Sequence, residues 1–267
     1  MSVPPIFVDT HCHLNFDSYD VDRDAIVQAA ADAGVTRIVI PAVDVETAQQ
    51  SLHLSQQYEG VYVAVGVHPN STAHFDDSTC ESIEALSHHA KVVAIGEIGL
   101  DYYWDKSPKA QQRQAFEAQL ALASQRELPV IIHNREASED VIAVLEDWVQ
   151  DLPASLRERP GVLHSFSAPA EIAERALAIG FYLGFTGPIT FKNAEALRRV
   201  ARDVPLNRLL VETDGPFLTP HPYRGKKPNK PQYILYIADR LAGLHQMTVD
   251  AMAEQTTANA EHLFQLS

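Results

Sequence analysis

The chain has 267 residues, 46% of them apolar and 21% charged, with a formal net charge of −14. That composition supports a substantial core and excludes intrinsic disorder, and the acidity disfavours passive coating of a polyanion unless basic groups cluster or bound cations reverse the local field. Two cysteines, Cys12 and Cys80, without a CxxC pair indicate neither a disulfide framework nor a zinc ribbon. The opening MSVPPIFVDTHCH lacks the basic and apolar regions of a secretory leader, and no run approaches the ~20 apolar residues of a bilayer span. A cytoplasmic protein without a membrane partner is therefore expected.

In chain order, short apolar runs of the kind covered on both faces alternate with longer amphipathic stretches. A strand is predicted at 6–9 and a helix at 21–33, then strand 37–43 and helix 45–58, strand 61–67 and helix 78–89, strand 92–98 and helix 109–127. The second half continues with strand 130–133 and helix 138–150, strand 162–166 and helix 170–179, strand 181–186 and helix 194–203, and strand 209–212 followed by helices at 232–244 and 249–266. Gly34, Gly60, Gly161 and Gly180 stand between a helix end and the next strand, where a left-handed residue closes a helix. Ser78 with Glu81 reads as a capping box. Eight strand–helix units, in a chain slightly above the ~250 residues typical of the fold, predict a (β/α)8 TIM barrel spanning 1–267 as one domain. An open doubly wound sheet would carry a glycine-rich phosphate loop after its first strand, where this chain has Asp9-Thr10-His11-Cys12-His13.

Barrels of this kind gather their chemistry at the C-terminal strand ends. There the chain offers His11 and His13, His68, Glu97, His133, His164, and Glu212 with Asp214. The HxH spacing turns two imidazoles to one face of an extended segment, able to hold one cation. Taken alone, such a pair is more commonly two half-buried histidines flanking a turn, and the convergence of six strand ends is what favours the metal. Glu97 lies in the apolar AIGEIGLD, where an ionised carboxylate needs a partner. A salt bridge to Arg135 or Lys192 is one solution, and bridging two cations is the better one. Asp214 could ligate a cation and orient or deprotonate the attacking water. Two divalent cations held by neutral imidazoles and two carboxylates would leave a net positive charge that attracts an anionic substrate. Magnesium, manganese, zinc and nickel all suit such donors.

The loop 222–231, PYRGKKPNKP, concentrates basic residues in an acidic chain, and Arg224 and Asn229 are its candidate phosphate contacts. Tyr102, Tyr103 and Trp104 follow the fourth strand and could stack bases, although an aromatic trio in a loop is more often packing. Strand alternation turns Cys12 away from its histidine neighbours, which argues against a catalytic thiol.

DTHCHL near the N-terminus, GVHP at 66–69, GEIGLDYY at 96–103, HNR at 133–135, HSFS at 164–167, GFTGPITFKNA at 184–194 and ETDGPFLTP at 212–220 together resemble the TatD family of metal-dependent hydrolases. The resemblance runs from about residue 6 to the C-terminal TTANAEHLF. It implies an amidohydrolase-type TIM barrel and deoxyribonuclease activity, commonly 3′ to 5′ exonuclease, with divalent metal. It further implies His11, His13, Glu97 and Asp214 as ligands of one ion, Glu97, His133 and His164 as ligands of the other, and His68 beside the substrate.

The expectation is thus a two-metal phosphodiesterase acting on DNA, with Asp214 and Glu97 at the centre of its chemistry and no protein partner inferred. An amidohydrolase or esterase using the same metals on a small carbonyl substrate is the alternative. A non-catalytic nucleic-acid-binding protein with structural metals is a third reading, disfavoured because structural sites are usually closed with four ligands.

Overall fold

The computed structural model describes residues 5–266. Eight parallel strands pair in sequence order: β1 (Phe7–Asp9), β2 (Val35–Pro41), β3 (Val61–Val65), β4 (Val92–Asp101), β5 (Val130–Arg135), β6 (Gly161–Leu163), β7 (Tyr182–Phe185) and β8 (Leu209–Val211). Helices α1 (Arg23–Asp32), α2 (Val45–Gln57), α3 (Asp77–Leu86), α4 (Lys109–Arg126), α5 (Ser138–Trp148), α6 (Ala170–Ala178) and α7 (Glu195–Asp203) cross between them, and α8 (Ile234–Leu244) and α9 (Val249–Phe264) follow β8. The result is the expected (β/α)8 TIM barrel. Continuous apolar runs form its strands because both faces are covered, one by the helices and one by the barrel interior.

Contacts beyond the strands bring β8 back to β1. Thr10 N–H donates to Val211 O at 3.4 Å, Asp214 N–H to His11 O at 2.8 Å and His13 N–H to Gly215 O at 2.7 Å. Buried Asp9 adds a side-chain clasp, accepting from Thr213 N at 2.9 Å and Thr213 Oγ1 at 2.5 Å. The closure therefore positions the two segments that carry His11, His13 and Asp214.

Every strand contributes to an interior cluster through Val8, Val39, Tyr62, Ala94, Ile131, Val162, Tyr182 and Leu210, joined by Ala260, Leu263 and Phe264 of α9. Polar contacts from α9 reach the N-terminal strand ends: Arg37 pairs with Glu261 at 2.6 Å, and Thr257 Oγ1 donates to Ile6 O at 2.8 Å. The last helix thus plugs the end of the barrel opposite the strand-end histidines. Burying a side chain such as Leu263 stabilises the fold by about 1.5–3 kcal/mol.

Several element boundaries differ from the sequence expectation. β2 starts at Val35 because it pairs with Phe7 immediately after the turn, a start that the polar Thr36 separates from the apolar run. β4 runs on to Asp101 because its second half pairs with β5, so Glu97 lies inside the strand rather than at its end. Asp76, not Ser78, caps α3, accepting from Thr79 N at 2.9 Å while the Thr79 hydroxyl completes the box. Gly34 and Gly180 are left-handed, at φ of 90° and 86°. Gly60 and Gly161 are not; their Cβ positions fall on the carbonyls of Thr36 and Val130, so close strand approach excludes a side chain there.

Candidate metal centre

Side chains from β4 and β5 and from the ends of four other strands meet around Glu97, whose two oxygens divide them. Oε2 faces the β1 pair, 3.4 Å from His11 Nε2 and 3.7 Å from His13 Nε2. Oε1 faces the others, 2.8 Å from His133 Nδ1, 2.8 Å from His164 Nε2 and 3.6 Å from His68 Nε2. Asp214 completes the first set, with Oδ1 3.7 Å from the Nε2 atoms of both His11 and His13. Its backbone is left-handed, at φ 52°, an unusual conformation for a residue with a side chain and one that concentrates at functional sites.

The donor chemistry fits cations. His13 Nδ1 lies 3.2 Å from Pro41 O, so the ring donates there and leaves Nε2 as a lone pair. That lone pair faces His11 Nε2 at 3.4 Å and the Glu97 and Asp214 oxygens, so acceptors converge in a buried space. His133 sits between two carboxylates, with Nε2 3.0 Å from Asp101 Oδ2. Burial works against its charge, but hydrogen bonds to Asp101 and Glu97 prevail and push its pKa up to about 9. A cation between Nδ1 and Glu97 would supply that positive charge while Asp101 fixes the opposite nitrogen as the donor. Among the described residues, three overlapping groups have ligand atoms close enough to share an ion: His11, His13 and Glu97; His11, His164 and Asp214; His68, Glu97 and His133.

Burial shapes the protonation of the cluster. It pulls His11 well below the usual imidazole value, with His164 adding to the shift, and lowers His13 to about 4. Burial and then His133 lower His68 to about 3. The lowered values favour the neutral form that ligation by His11 and His13 requires. Burial would raise Glu97, but His164, His68 and His11 hold it well below the usual carboxylate range.

Supporting residues escaped the sequence reading. Asp101 stood in the quoted GEIGLDYY without a role; the structure turns it onto His133, Asn70 Nδ2 at 3.1 Å and the backbone N–H of Tyr103 at 3.0 Å. Glu212, named only as a strand-end carboxylate, accepts from Ser165 N–H and from Thr10 Oγ1 at 3.3 Å, and its Oε1 lies 3.7 Å from His164 Nδ1. A methyl group at Gly184 would collide with the Glu212 carboxylate. Burial raises both Glu212 and Asp9 to about 7. The DxH and ExD spacings were the available signals, since alternation places the residues beside a ligand where they can brace it.

His68 Nδ1 accepts from Asn70 N–H at 3.0 Å, so a neutral ring presents Nε2–H toward Glu97 as a donor. The two basic-loop candidates lie in different surroundings. Asn229 is fully buried, its Nδ2 donating to Thr213 O at 2.8 Å and its Oδ1 accepting from Lys230 N at 2.8 Å. The amide holds the loop to the strand-eight segment. Arg224 is exposed, its guanidinium 4.1 Å from the centroid of the Phe191 ring. Arg135 stacks on Tyr103 at 4.0 Å, and Glu97 faces histidines instead of the salt bridge considered above. Cys12 is buried, its Sγ 3.9 Å from Tyr19 Oη, and burial keeps its thiol well above the usual range.

Comparison with known proteins identifies the family of the chain. The profile of the family described as TatD related DNase matches residues 8–265. The uncharacterized metal-dependent hydrolase YabD of Bacillus subtilis (strain 168) is 43% identical, covering 97% of this chain and 99% of its own. The 3′-5′ ssDNA/RNA exonuclease TatD of Erwinia tasmaniensis is 35% identical over 97% of this chain and 99% of its own. The crystal structure of YJJV, a TatD homologue from Escherichia coli K12, superposes with a TM-score of 0.90 at 35% identity, covering 98% of each chain. Among the described residues no helix is long and apolar enough to cross a membrane. With a whole-length profile match, relatives at this identity and a barrel that superposes throughout, the chain belongs to the TatD-related family of metal-dependent hydrolases.

Proposed function

We propose that this protein is a two-metal phosphodiesterase that removes nucleotides from the 3′ end of single-stranded DNA or from DNA ends. The observation that carries the reading is the divided Glu97 carboxylate, with one oxygen toward His11 and His13 and the other toward His133 and His164. In the proposed site His11, His13, Glu97 and Asp214 hold one cation, and Glu97, His133 and His164 hold the other. When bound, a cation pair acidifies water and offsets the charge on the phosphoryl oxygens. The 35% identical Erwinia relative named as a 3′-5′ ssDNA/RNA exonuclease supports the choice of substrate.

The chain's own groups divide the remaining work. Asp214 keeps 13% of its side chain exposed against 3% for Glu97, so it is the ligand carboxylate that meets solvent and substrate, and it orients the attacking water and accepts its proton. His68, also 13% exposed, donates Nε2–H to a phosphoryl oxygen, where charge builds in the transition state. Asp101 and Glu212 hold His133 and the His164 segment in place.

The test follows nucleotide release from end-labelled single-stranded DNA by chelator-stripped protein, with magnesium or manganese restored, alongside Asp214→Asn. Stepwise release from the 3′ end that requires metal and disappears in the folded variant is expected. Metal-dependent turnover of carbonyl substrates without phosphodiester cleavage would replace this reading by the amidohydrolase one.

A further inference from the structure

Three large aromatic side chains remain about half exposed among the described residues: Tyr103 at 48%, Trp104 at 47% and Phe217 at 48%. All three stand on loops at the end of the barrel that carries the ligand cluster, Tyr103 and Trp104 directly after β4 and Phe217 after β8. Exposed aromatic surface gathered at one mouth is a recognition feature more than a packing one.

The first group is built to hold its shape. Asp101 Oδ1 accepts the backbone N–H of Tyr103 at 3.0 Å and of Trp104 at 3.1 Å, while Oδ2 takes the ring of His133. One carboxylate thus ties the aromatic turn to the metal centre. The two rings meet edge to face with centroids 4.7 Å apart. Arg135, two residues beyond His133 on β5, places its guanidinium 4.0 Å from the Tyr103 centroid and 5.6 Å from that of Trp104, and Lys106 Nζ lies 5.9 Å from the Trp104 centroid. Tyr102 differs, because its hydroxyl donates to Asp140 at 2.6 Å and it is more buried than Tyr103 and Trp104; it belongs to the scaffold.

The second group lies on the other side. Phe217 meets the ring of Phe16 at 6.1 Å and that of His13 at 6.2 Å, and Phe16 stacks on His13 at 4.6 Å. Strand order puts β4 and β5 half a turn of the barrel away from β1 and β8, so the two groups flank the metal centre from opposite sides.

We propose that these two aromatic platforms each stack a nucleobase of a single strand, one on either side of the scissile phosphate, with Tyr103, Trp104 and Arg135 forming one platform and Phe217 the other. The proposal rests on the phosphodiesterase reading above. Every base offers a π face, so stacking is tolerant of sequence, and the guanidinium and ammonium groups beside the rings attract the backbone. The net charge of −14 disfavours contact with the strand away from such basic groups. Bases in a duplex are already stacked on one another, so the platforms favour unpaired ends.

The experiment compares KM for an all-base oligonucleotide with KM for strands carrying tetrahydrofuran abasic residues at the nucleotides flanking the scissile phosphate, using the wild type, Trp104→Ala, Trp104→Phe and Phe217→Ala with metal restored. Removing either flanking base is expected to raise the wild-type KM on the order of 10-fold. Trp104→Ala and Phe217→Ala each raise KM on the all-base strand to a similar extent and become insensitive to loss of one of the two bases, a different one for each variant, while Trp104→Phe retains most of the affinity. Wild-type cleavage with equal KM on all strands, or alanine variants that lose as much on base removal as the wild type, would overturn the platforms and leave the nuclease standing. Absence of any DNA cleavage by the wild type removes the nuclease reading and the platforms with it.

Discussion

Asp101 Oδ2 lies 3.0 Å from His133 Nε2, on the far side of the ring from Glu97. The contact fixes which nitrogen of His133 faces Glu97 and increases the basicity of that nitrogen. Asp101→Asn removes the charge and lets the ring turn. Metal affinity is expected to fall by about 10–100-fold, read by competition with a chelating indicator; an unchanged affinity would show that Asp101 does not orient the ligand.

Glu97 is common to both halves of the cluster. Glu97→Gln is therefore expected to lower occupancy on both sides, whereas His13→Ala weakens the β1 side and leaves the His133–His164 side loaded. Metal content per chain, measured by mass spectrometry after dialysis, distinguishes the two patterns. Full occupancy in Glu97→Gln would rule out a bridging role.

His68 is assigned a donor's role because its Nδ1 is already used by Asn70 N–H. His68→Ala should keep its metal content and lose kcat on the order of 100-fold, the effect of removing one transition-state donor. Lost metal with proportionate loss of activity would make His68 a ligand instead.

Asn229 braces the loop that follows β8. Asn229→Ala leaves the buried Thr213 carbonyl without its donor, and the expected cost is about 1–3 kcal/mol of stability, measured by urea denaturation. KM of the folded variant should be little changed. A raised KM at unchanged stability would return Asn229 to the substrate.

The barrel was legible because its signal is local. Apolar runs such as 61–67 and 130–133 need only their own residues to announce strands covered on both faces, and eight of them in alternation with helices leave few topologies. Once strand order was known, the gathering of His11, His13, Glu97, His133, His164 and Asp214 toward one end of the barrel followed, and the chemistry of imidazole and carboxylate limits what such a gathering can bind.

What needed the folded chain were the partners and the directions of side chains. Asp9 meets Thr213 across 204 positions and Asp101 meets His133 across 32, and no local pattern reports contacts set by barrel closure and the register of β4 against β5. Asn229 and His68 show the same limit in another form: residue type suggested what each could bind, while burial of one and the backbone N–H at Nδ1 of the other decided which atoms remain free to do so. Residue identity supplies the available donors and acceptors, and three-dimensional packing determines which of them are already satisfied.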